Sequence, residues 1–340
     1  MTTLPMTPRA ALATRRIVNL DQVACGIPSV VADGAAAGCR AVDCRVAGGV
    51  DLRVLPDRGL DVGAAWFGGV PLSWTSPRGE CAPLDGPTDG AAWLDRFGGG
   101  LITTCGLRNV GAASEGHGLH GVIHHTPAGP VTTTRTVGDD GEVTVTVSAA
   151  VDETAGLTGH LRLDRTVSTR TGGGHVDLVD TVTNLGDVTE AAPLLYHINL
   201  GAPLWSDGAQ VSVTADRTVL RDDPTRAAPG RWDEAHDPAP GAPERVVEHL
   251  LRPDAHGRAT ATVTNAALGL EVEVAWVATT LPRCHQWVHP SLGVLGIEPA
   301  NCSVLGRAAD RRAGTLPTLE PGQARTTRLQ VRARSTAVAA

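Results

Sequence analysis

Regular alternation of apolar and polar residues is the feature of this sequence that most restricts its fold. The alternation is clearest in EVTVTVSAAV (142–151), AQVSVTADRTVL (209–220) and TTRLQVRARS (326–335). Successive side chains of a β-strand point to opposite faces, so a period of two predicts strands with one buried face. No comparable stretch repeats every three to four residues, as a long amphipathic helix would. We therefore expect an all-β protein.

Two longer segments predict antiparallel pairing, because each contains two alternating runs joined by a turn. LRLDRTVSTRTGGGHVDLVDTVTN turns at residues 172–174, and RATATVTNAALGLEVEVAWVA turns near residues 265–269. The 40 glycines and 23 prolines of the chain fit a fold with many turns. The best helical candidate, DGAAWLDRFGGG (89–100), is short and is stopped by three glycines.

The sequence predicts a single domain over residues 1–340. This length suits either one large β domain or two ordinary ones. Strand patterns of the same kind lie on both sides of the Pro-rich and Arg/Asp-rich segment 221–243, so we interpret that segment as a long surface loop rather than a linker. We expect residues 1–14 to form a flexible arm before the first strand.

Composition excludes several classes of partner. The net charge is -7 and every basic residue is an arginine, without the clustered basic face of a nucleic-acid binder. No segment reaches the stretch of about 18 apolar residues that a membrane span needs. The seven cysteines are odd in number and form no C-x-x-C pair, which favours reduced thiols and a cytoplasmic location.

Histidines are concentrated in EGHGLHGVIHHTPA (115–128). Neutral imidazole is a common metal ligand, and strand alternation would place His120 and His124 on one face. The surrounding glycines break any helix that could align two ligands, and no H-E-x-x-H or C-x-x-C pattern accompanies them. We therefore favour no metal, and we interpret the glycines beside His120 as room for a ligand close to the backbone.

Two further segments contain residues with the chemistry of an active site. His197 lies in the apolar run LLYHINLGAPLW (194–205), where a lone histidine is more often a core residue than a catalyst. Glu298 lies in GVLGIEPANCS (293–303), and a buried carboxylate is costly unless it is hydrogen-bonded or used, which favours a functional role.

Three polar or aromatic residues are candidates for binding a ligand. Gln286 and Trp287, within CHQWVHP, could hydrogen-bond to and stack on a sugar, although Trp287 also suits the core. Arg108 follows the glycine-flanked segment GGLITTCGL (99–107), and its fork-shaped guanidinium could bind adjacent hydroxyls or an anion. Pairing of Arg108 with a surface carboxylate is the alternative.

In this order, the segments resemble the aldose 1-epimerase (galactose mutarotase-like) superfamily, and more closely its DUF4432 branch. The resemblance runs from about residue 15 to the end of the chain. It implies a β-supersandwich of large twisted antiparallel sheets with a sugar on the concave face, and no cofactor or metal. The motifs that carry it are VLPDRGLDV (54–62), GGLITTCGL (99–107), GLHGVIHHTPA (118–128), LLYHINLGAPL (194–204), GIEPANC (296–302) and TLEPGQARTTRLQV.

The resemblance also implies roles for individual residues. Glu298 falls at the position of the catalytic glutamate and His197 at that of the catalytic histidine, although Tyr196 precedes it where the superfamily has asparagine. We expect Glu298 to act as the base on the C1 hydroxyl and His197 as the acid on the ring oxygen, from opposite sides of the sugar. His120 would hydrogen-bond to the sugar.

Further positions follow from the resemblance for the groups that hold the sugar hydroxyls. Arg108 matches the arginine that hydrogen-bonds to sugar hydroxyls, and Arg58 of the PDRGLD segment is the alternative residue for that role. Asp57 and Asp61 are candidates for the sugar-binding carboxylate. A phosphorylated sugar is disfavoured, because the neighbouring segments supply mainly Arg108 and Arg58 to bind a phosphate.

We therefore expect an enzyme of the aldose 1-epimerase type that acts on a small-molecule carbohydrate. One alternative is a carbohydrate-binding protein without catalytic activity. A second is other sugar chemistry, such as isomerisation, epimerisation at another carbon or carbon-glycoside cleavage, with a metal at His120 and His124. The sequence does not predict the oligomeric state.

Overall fold

The computed structural model describes residues 6–84, 92–157, 159–221 and 231–336. Nearly all the strands in these residues belong to two antiparallel sheets, which pack against each other through a shared apolar core. This architecture confirms the predicted all-β sandwich. We call the eleven-stranded sheet the large sheet and the eight-stranded one the small sheet.

The strands of the large sheet come from residues 24–106, 194–220 and 245–300. Ten of its strands lie in the spatial order β1 (Ala24–Val30), β2 (Arg40–Val46), β3 (Val50–Leu55), β4 (Asp61–Phe67), β6 (Ile102–Gly106), β12 (Leu194–Leu200), β19 (Val294–Ala300), β18 (Arg283–His289), β15 (Arg245–Leu251) and β14 (Ala215–Leu220). The eleventh, β5 (Val70–Pro71), pairs with β4.

The small sheet covers one face of the large sheet. Its spatial order is β13 (Gln210–Val213), β16 (Arg258–Asn265), β17 (Leu270–Val277), β21 (Ala324–Ser335), β10 (His175–Asn184), β9 (Gly159–Arg170), β8 (Val143–Ala155) and β7 (Thr132–Val137). A separate ribbon consists of β11 (Glu190–Ala191) and β20 (Thr318–Leu319). The described residues also contain two short α-helices, α1 (Pro8–Ala13) and α2 (Arg307–Ala313).

Both predicted hairpins are present. β9 pairs with β10 and β16 pairs with β17, each in antiparallel register. The alternating run 209–220 divides at Thr214, because β13 belongs to the small sheet whereas β14 belongs to the large one. The helical candidate 89–100 contains only a 3₁₀ turn at Leu94–Arg96, and its residues 89–91 lie outside the described part of the chain.

The two segments expected to be irregular differ from each other. Residues 8–13 of the predicted flexible arm form α1, whose first turn is capped by the Thr7 side chain. Arg9 fixes this helix to the sandwich by donating to the Gly138 carbonyl at 2.7 Å. In the predicted loop 221–243, residues 231–243 form no strand, and residues 222–230 lie outside the described residues. The single-domain assignment stays a prediction.

The apolar core lies between the two sheets. Alternate side chains of the facing strands fill it, as the period of two requires. Burial of each large aliphatic side chain contributes roughly 1.5–3 kcal/mol to stability. Representative members, all at most 2% exposed, are Val42, Leu52, Val54, Val145, Leu163, Leu178, Val272 and Ile297.

A buried ionic network crosses this core. Arg165 of the small sheet donates to Asp180 at 2.6 and 2.9 Å and to Asp61 of the large sheet at 2.6 Å. The Tyr196 hydroxyl donates to Asp180 at 2.7 Å. Because each charge has an opposite charge in contact, the network links the sheets without leaving an unpaired ion.

Two global features complete the fold. All seven cysteines are free thiols. None of the helices in the described residues combines the length and the apolar character needed to span a membrane.

Candidate active site

The face of the large sheet that points away from the core carries a second cluster of side chains. Strand alternation divides β12 between the two faces: Tyr196 and Ile198 enter the core, whereas Leu195 belongs to the second cluster. The same alternation turns His197 toward the second face. On β19, Ile297 enters the core and Glu298 points the other way.

His197 and Glu298 lie directly opposite each other on neighbouring strands. Ile198 pairs with Ile297 in the antiparallel register, which places the residue before Ile198 beside the residue after Ile297. His197 Nε2 is 3.1 Å from Glu298 Oε1, and both residues are buried, at 6% and 3% exposure. We call these two residues the dyad. The expectation that they flank a sugar from opposite sides is wrong, because their strands are adjacent.

Gly296 makes room for the imidazole. It lies two residues before Glu298, on the same face of β19. A Cβ atom at Gly296 would be 2.8 Å from His197 Cε1 and 3.2 Å from Glu298 Oε1. A glycine at this position therefore permits the close contact of the dyad.

The surroundings of Glu298 favour its charged form. Burial alone would raise its pKa, but the charge and the hydrogen bond of His197 offset that effect. His285, its neighbour on β18, and His120 act in the same direction, so the pKa of Glu298 is lowered from its usual value. Glu298 is therefore a carboxylate at neutral pH and can accept a proton.

His120 is held in one tautomer. Its Nδ1 accepts a hydrogen bond from the Gly111 backbone N–H at 3.3 Å, so in the neutral ring the proton is on Nε2. Burial, with a further contribution from His197, lowers the pKa of His120 to about 4. The backbone is in the left-handed region, with φ of 55°, and the ring lies 4.8 Å from that of Trp93. His120 thus lines the site as a neutral donor.

The dyad and His120 line a cleft of about 1100 Å³. Aromatic rings form much of its walls, and two of them, Phe97 and Trp287, meet the His197 ring edge-on at 5.6 and 5.4 Å. The Trp287 indole is fixed by a 2.9 Å hydrogen bond to Glu244. Aromatic faces of this kind bind the C–H faces of sugars, while acids and bases at the floor can act on the polar edge. The other two aromatic residues of the walls are Trp74 and Trp93.

Comparison with protein families identifies the family of this chain. The family model described as a domain of unknown function, DUF4432, matches residues 36–333. The chain belongs to the DUF4432 family. No curated protein sequence matches this DUF4432 protein significantly.

Solved structures of similar fold include proteins linked by name to aldose 1-epimerases. A candidate aldose 1-epimerase from Klebsiella pneumoniae subsp. pneumoniae MGH 78578 has a TM-score of 0.84 at 20% identity, covering 95% of this chain and 90% of that one. A galactose mutarotase-like protein from Clostridium acetobutylicum has a TM-score of 0.61 at 14% identity, covering 92% of this chain and 99% of that one. A galactose 1-epimerase from Lactobacillus acidophilus NCFM has a TM-score of 0.57 at 12% identity, covering 92% of this chain and 100% of that one. This likeness establishes a galactose mutarotase-like fold.

Arg58 does not reach the cleft of the DUF4432 protein, which corrects its predicted role. Its guanidinium is buried and donates to the Cys81 carbonyl at 2.7 Å and to His124 Nε2 at 2.5 Å. His124 Nδ1 in turn donates to Asp61 at 2.7 Å, within the network between the sheets. Arg58 and His124 instead line a separate cavity of about 210 Å³.

The structure also corrects the sugar-binding roles of Asp57, Arg108 and Gln286. Asp57 accepts from the Arg40 backbone N–H and side chain at 2.6 and 2.8 Å. Arg108 is buried, and its NH1 donates to Glu190 at 2.6 Å. Gln286 follows the alternation of β18 and turns toward the core, opposite to Trp287. The charged groups are paired and the amide faces away, so none of the three lines the cleft.

The arrangement of histidines does not favour the metal site that His120 and His124 could have formed. Both ring nitrogens of His124 are hydrogen-bonded, to Asp61 and Arg58, and His120 lines the cleft. Within the described ranges, no three His, Cys, Asp or Glu side chains are grouped as metal ligands.

Several residues of the cleft were not singled out from the sequence. Trp74, Trp93 and Phe97 line the cleft together with the dyad, and so do Arg78 and Arg96. The available signal was composition, because the chain has only seven tryptophans, two phenylalanines and one tyrosine. Four of these ten aromatic residues line one cleft, a concentration that the linear sequence conceals.

Proposed function

We propose that this protein interconverts the anomers of an aldose. The observation that carries the proposal is the buried contact of 3.1 Å between His197 and Glu298 on the floor of an aromatic cleft. The fold that it shares with a candidate aldose 1-epimerase and a galactose 1-epimerase supports the same reaction class.

The first half of the reaction opens the ring. Glu298, charged at neutral pH, takes the proton of the C1 hydroxyl. The C1 carbonyl forms as the bond between C1 and the ring oxygen breaks, and His197 in its imidazolium form gives a proton to that oxygen. The products are an open-chain aldehyde, a protonated Glu298 and a neutral His197.

The second half closes the ring on the other face. Rotation about the C1–C2 bond turns the opposite face of the aldehyde toward the released hydroxyl. His197 then takes the proton of this hydroxyl as it attacks C1, and Glu298 returns a proton to the carbonyl oxygen. Both groups regain their starting states, so the cycle consumes no other reactant.

The closeness of the dyad suits this chemistry. The hydroxyl oxygen and the ring oxygen are both bonded to C1, so the base and the acid that serve them must lie side by side. Because His197 and Glu298 lie on adjacent strands, the acid and the base are this close together. His120, a neutral donor, would hold one of these oxygens, and the Trp287 ring would face the sugar.

Anomer exchange measured by NMR or polarimetry tests the proposal. Freshly dissolved single anomers of hexoses, deoxysugars, pentoses and uronic acids are followed with and without protein. We expect a protein-dependent increase in exchange rate for at least one class, with the equilibrium ratio unchanged. Sugar binding without any acceleration would instead indicate a carbohydrate-binding protein. A product other than the second anomer would indicate different sugar chemistry.

A further inference from the structure

The cleft contains arginines that the sequence did not place there. Arg78, Arg96 and Arg221 line it, whereas the arginines expected at the sugar, Arg58 and Arg108, do not. Arg221 is 3.1 Å from Glu244 and is neutralised by it. Within the described residues, Arg78 and Arg96 have no carboxylate at ion-pair distance. Two guanidinium groups in a ligand cleft therefore have no counter-charge among the residues that the structure describes.

Arg78 and Arg96 lie on the same wall. Arg78 is in the turn that begins at Ser76, and the Ser76 backbone N–H donates to the Gly98 carbonyl at 3.0 Å, two residues after Arg96. A Cβ at Gly98 would be 2.7 Å from the Gly79 carbonyl oxygen, so the two backbones are in close contact. This packing brings both arginine-bearing segments to one side of the cleft.

The backbone of Arg96 is well anchored. Its carbonyl accepts a hydrogen bond from the buried Arg58 guanidinium at 3.0 Å. Among the described residues, its own guanidinium makes one long contact, from NH1 to the Ala82 carbonyl at 3.5 Å. Since a guanidinium has five N–H donors, Arg96 retains donors that a ligand can use. Arg78 is exposed at the same wall.

The charges of the cleft favour an anion at this wall. Of the described carboxylates that line the cleft, Glu298 is paired with His197 and Glu244 with Arg221. The third, Asp95, is exposed and forms no ion pair with either arginine. Among the described residues of this wall, two positive charges stand against one negative charge, although the whole chain carries a net charge of -7. Arginine forks match the geometry of carboxylate and phosphate groups.

We propose that the cleft selects aldoses that carry an anionic group at the end far from C1. This inference rests on the proposed function in one respect, since that function places C1 at the buried dyad. Arg78 is exposed, so the anion faces the outer part of the cleft while the anomeric carbon lies at its floor. A hexuronate and a hexose 6-phosphate share this chemistry, and Arg78 and Arg96 are the specificity-determining residues.

Binding measured by calorimetry tests the selection without requiring turnover. The probes are glucuronate, glucose 6-phosphate and glucose, titrated into the full-length protein. We expect at least one anionic sugar to bind at least about tenfold more tightly than glucose, as a charge-assisted hydrogen bond predicts. The two anionic probes separate a carboxylate from a phosphate preference.

Two variants locate the effect. Arg96→Gln and Arg78→Gln should each weaken binding of the preferred anionic sugar by at least about threefold and leave glucose binding unchanged. Arg328→Gln is the matched control, because Arg328 is exposed on β21 of the small sheet. That substitution should leave all three affinities unchanged.

The outcomes separate this inference from the proposed function. Equal affinity for glucose and both anionic sugars, or an anion preference that survives Arg78→Gln and Arg96→Gln, would overturn the selection while leaving anomer exchange possible. Selective binding without accelerated anomer exchange would support the selection of anionic sugars and refute the proposed reaction.

Discussion

At the scale of single residues, the dyad depends on the absence of a side chain at the neighbouring Gly296. Gly296 has no side chain, and the space that a methyl group would fill is occupied by the His197 ring and the Glu298 carboxylate. The sequence could predict Glu298 as functional, because a buried carboxylate in an apolar strand is costly unless it is hydrogen-bonded or used. It could not predict Gly296, since the conflict arises only when β12 and β19 are paired.

Gly296→Ala should separate the dyad while the fold persists. The new methyl group would press on His197 Cε1 at 2.8 Å, so the ring must move away from Glu298. We expect anomer exchange to fall at least about tenfold, because acid–base catalysis depends on hydrogen-bond geometry. The rate is measured by NMR, and circular dichroism checks the fold.

Gly129→Ala is the matched control for this substitution. A Cβ at Gly129 would be 3.6 Å from its nearest neighbour, the Ala150 carbonyl oxygen, which is an ordinary contact. The control should retain full activity. Full activity in Gly296→Ala as well would show that the spacing of the dyad is not critical.

At the scale of elements, strand alternation decides which face each side chain serves. It explains why Tyr196 and His197 point in opposite directions, and why the prediction that placed Gln286 with Trp287 at the sugar was wrong. It does not reveal what lies on each face. Arg165 reaches Asp61 across 104 positions of sequence, so the structural role of Asp61 became visible only with the sheets stacked.

Tyr196→Phe should reduce stability and leave catalysis intact. Its hydroxyl donates to Asp180 at 2.7 Å in the ionic network, on the face away from the cleft. Loss of a hydrogen bond to a charged group should lower the free energy of unfolding by about 1.5–3 kcal/mol. Urea denaturation measures the change, and anomer exchange by the folded variant should match the wild type.

Thr181→Val provides the comparison for Tyr196→Phe. Its hydroxyl pairs with that of Thr326 on the exposed side of the small sheet, so its loss should cost little. A Tyr196→Phe protein of normal stability but impaired activity would assign this tyrosine to the active site instead.

At the scale of the whole molecule, periodicity predicted an all-β fold and both hairpins, and the family resemblance implied the sandwich, but neither predicted the assembly of the cleft. Its walls come from segments around Trp74, Trp93, Trp287 and Val304, which are distant in sequence. The sequence also did not predict that the run 209–220 divides between two sheets, because alternation does not identify the strand with which each segment pairs.

Buried neutral histidines make the whole fold sensitive to acid. Burial lowers the pKa of His249 to about 4 and that of His125 to about 2. An unfolded histidine binds a proton below about pH 6.5, whereas these remain neutral in the fold, so acid favours unfolding. Between about pH 6.5 and pH 5, each should lower the free energy of unfolding by up to about 2 kcal/mol.

Urea denaturation at the two pH values measures this effect. His249→Gln should flatten the dependence of stability on pH, since it removes one of the titrating groups. His256→Gln, at an exposed histidine, should leave the dependence as in the wild type. A free energy of unfolding that does not change between the two pH values would contradict the account of these buried histidines.

The central claim concerns the dyad, and the most direct measurement is the anomer exchange rate of the wild type, Glu298→Gln and His197→Asn on the best aldose. Each variant is first shown to be folded. We predict that each substitution lowers the protein-dependent rate by about 100-fold or more, in line with the contribution of general acid–base groups. Folded variants that keep the wild-type rate would contradict the claim.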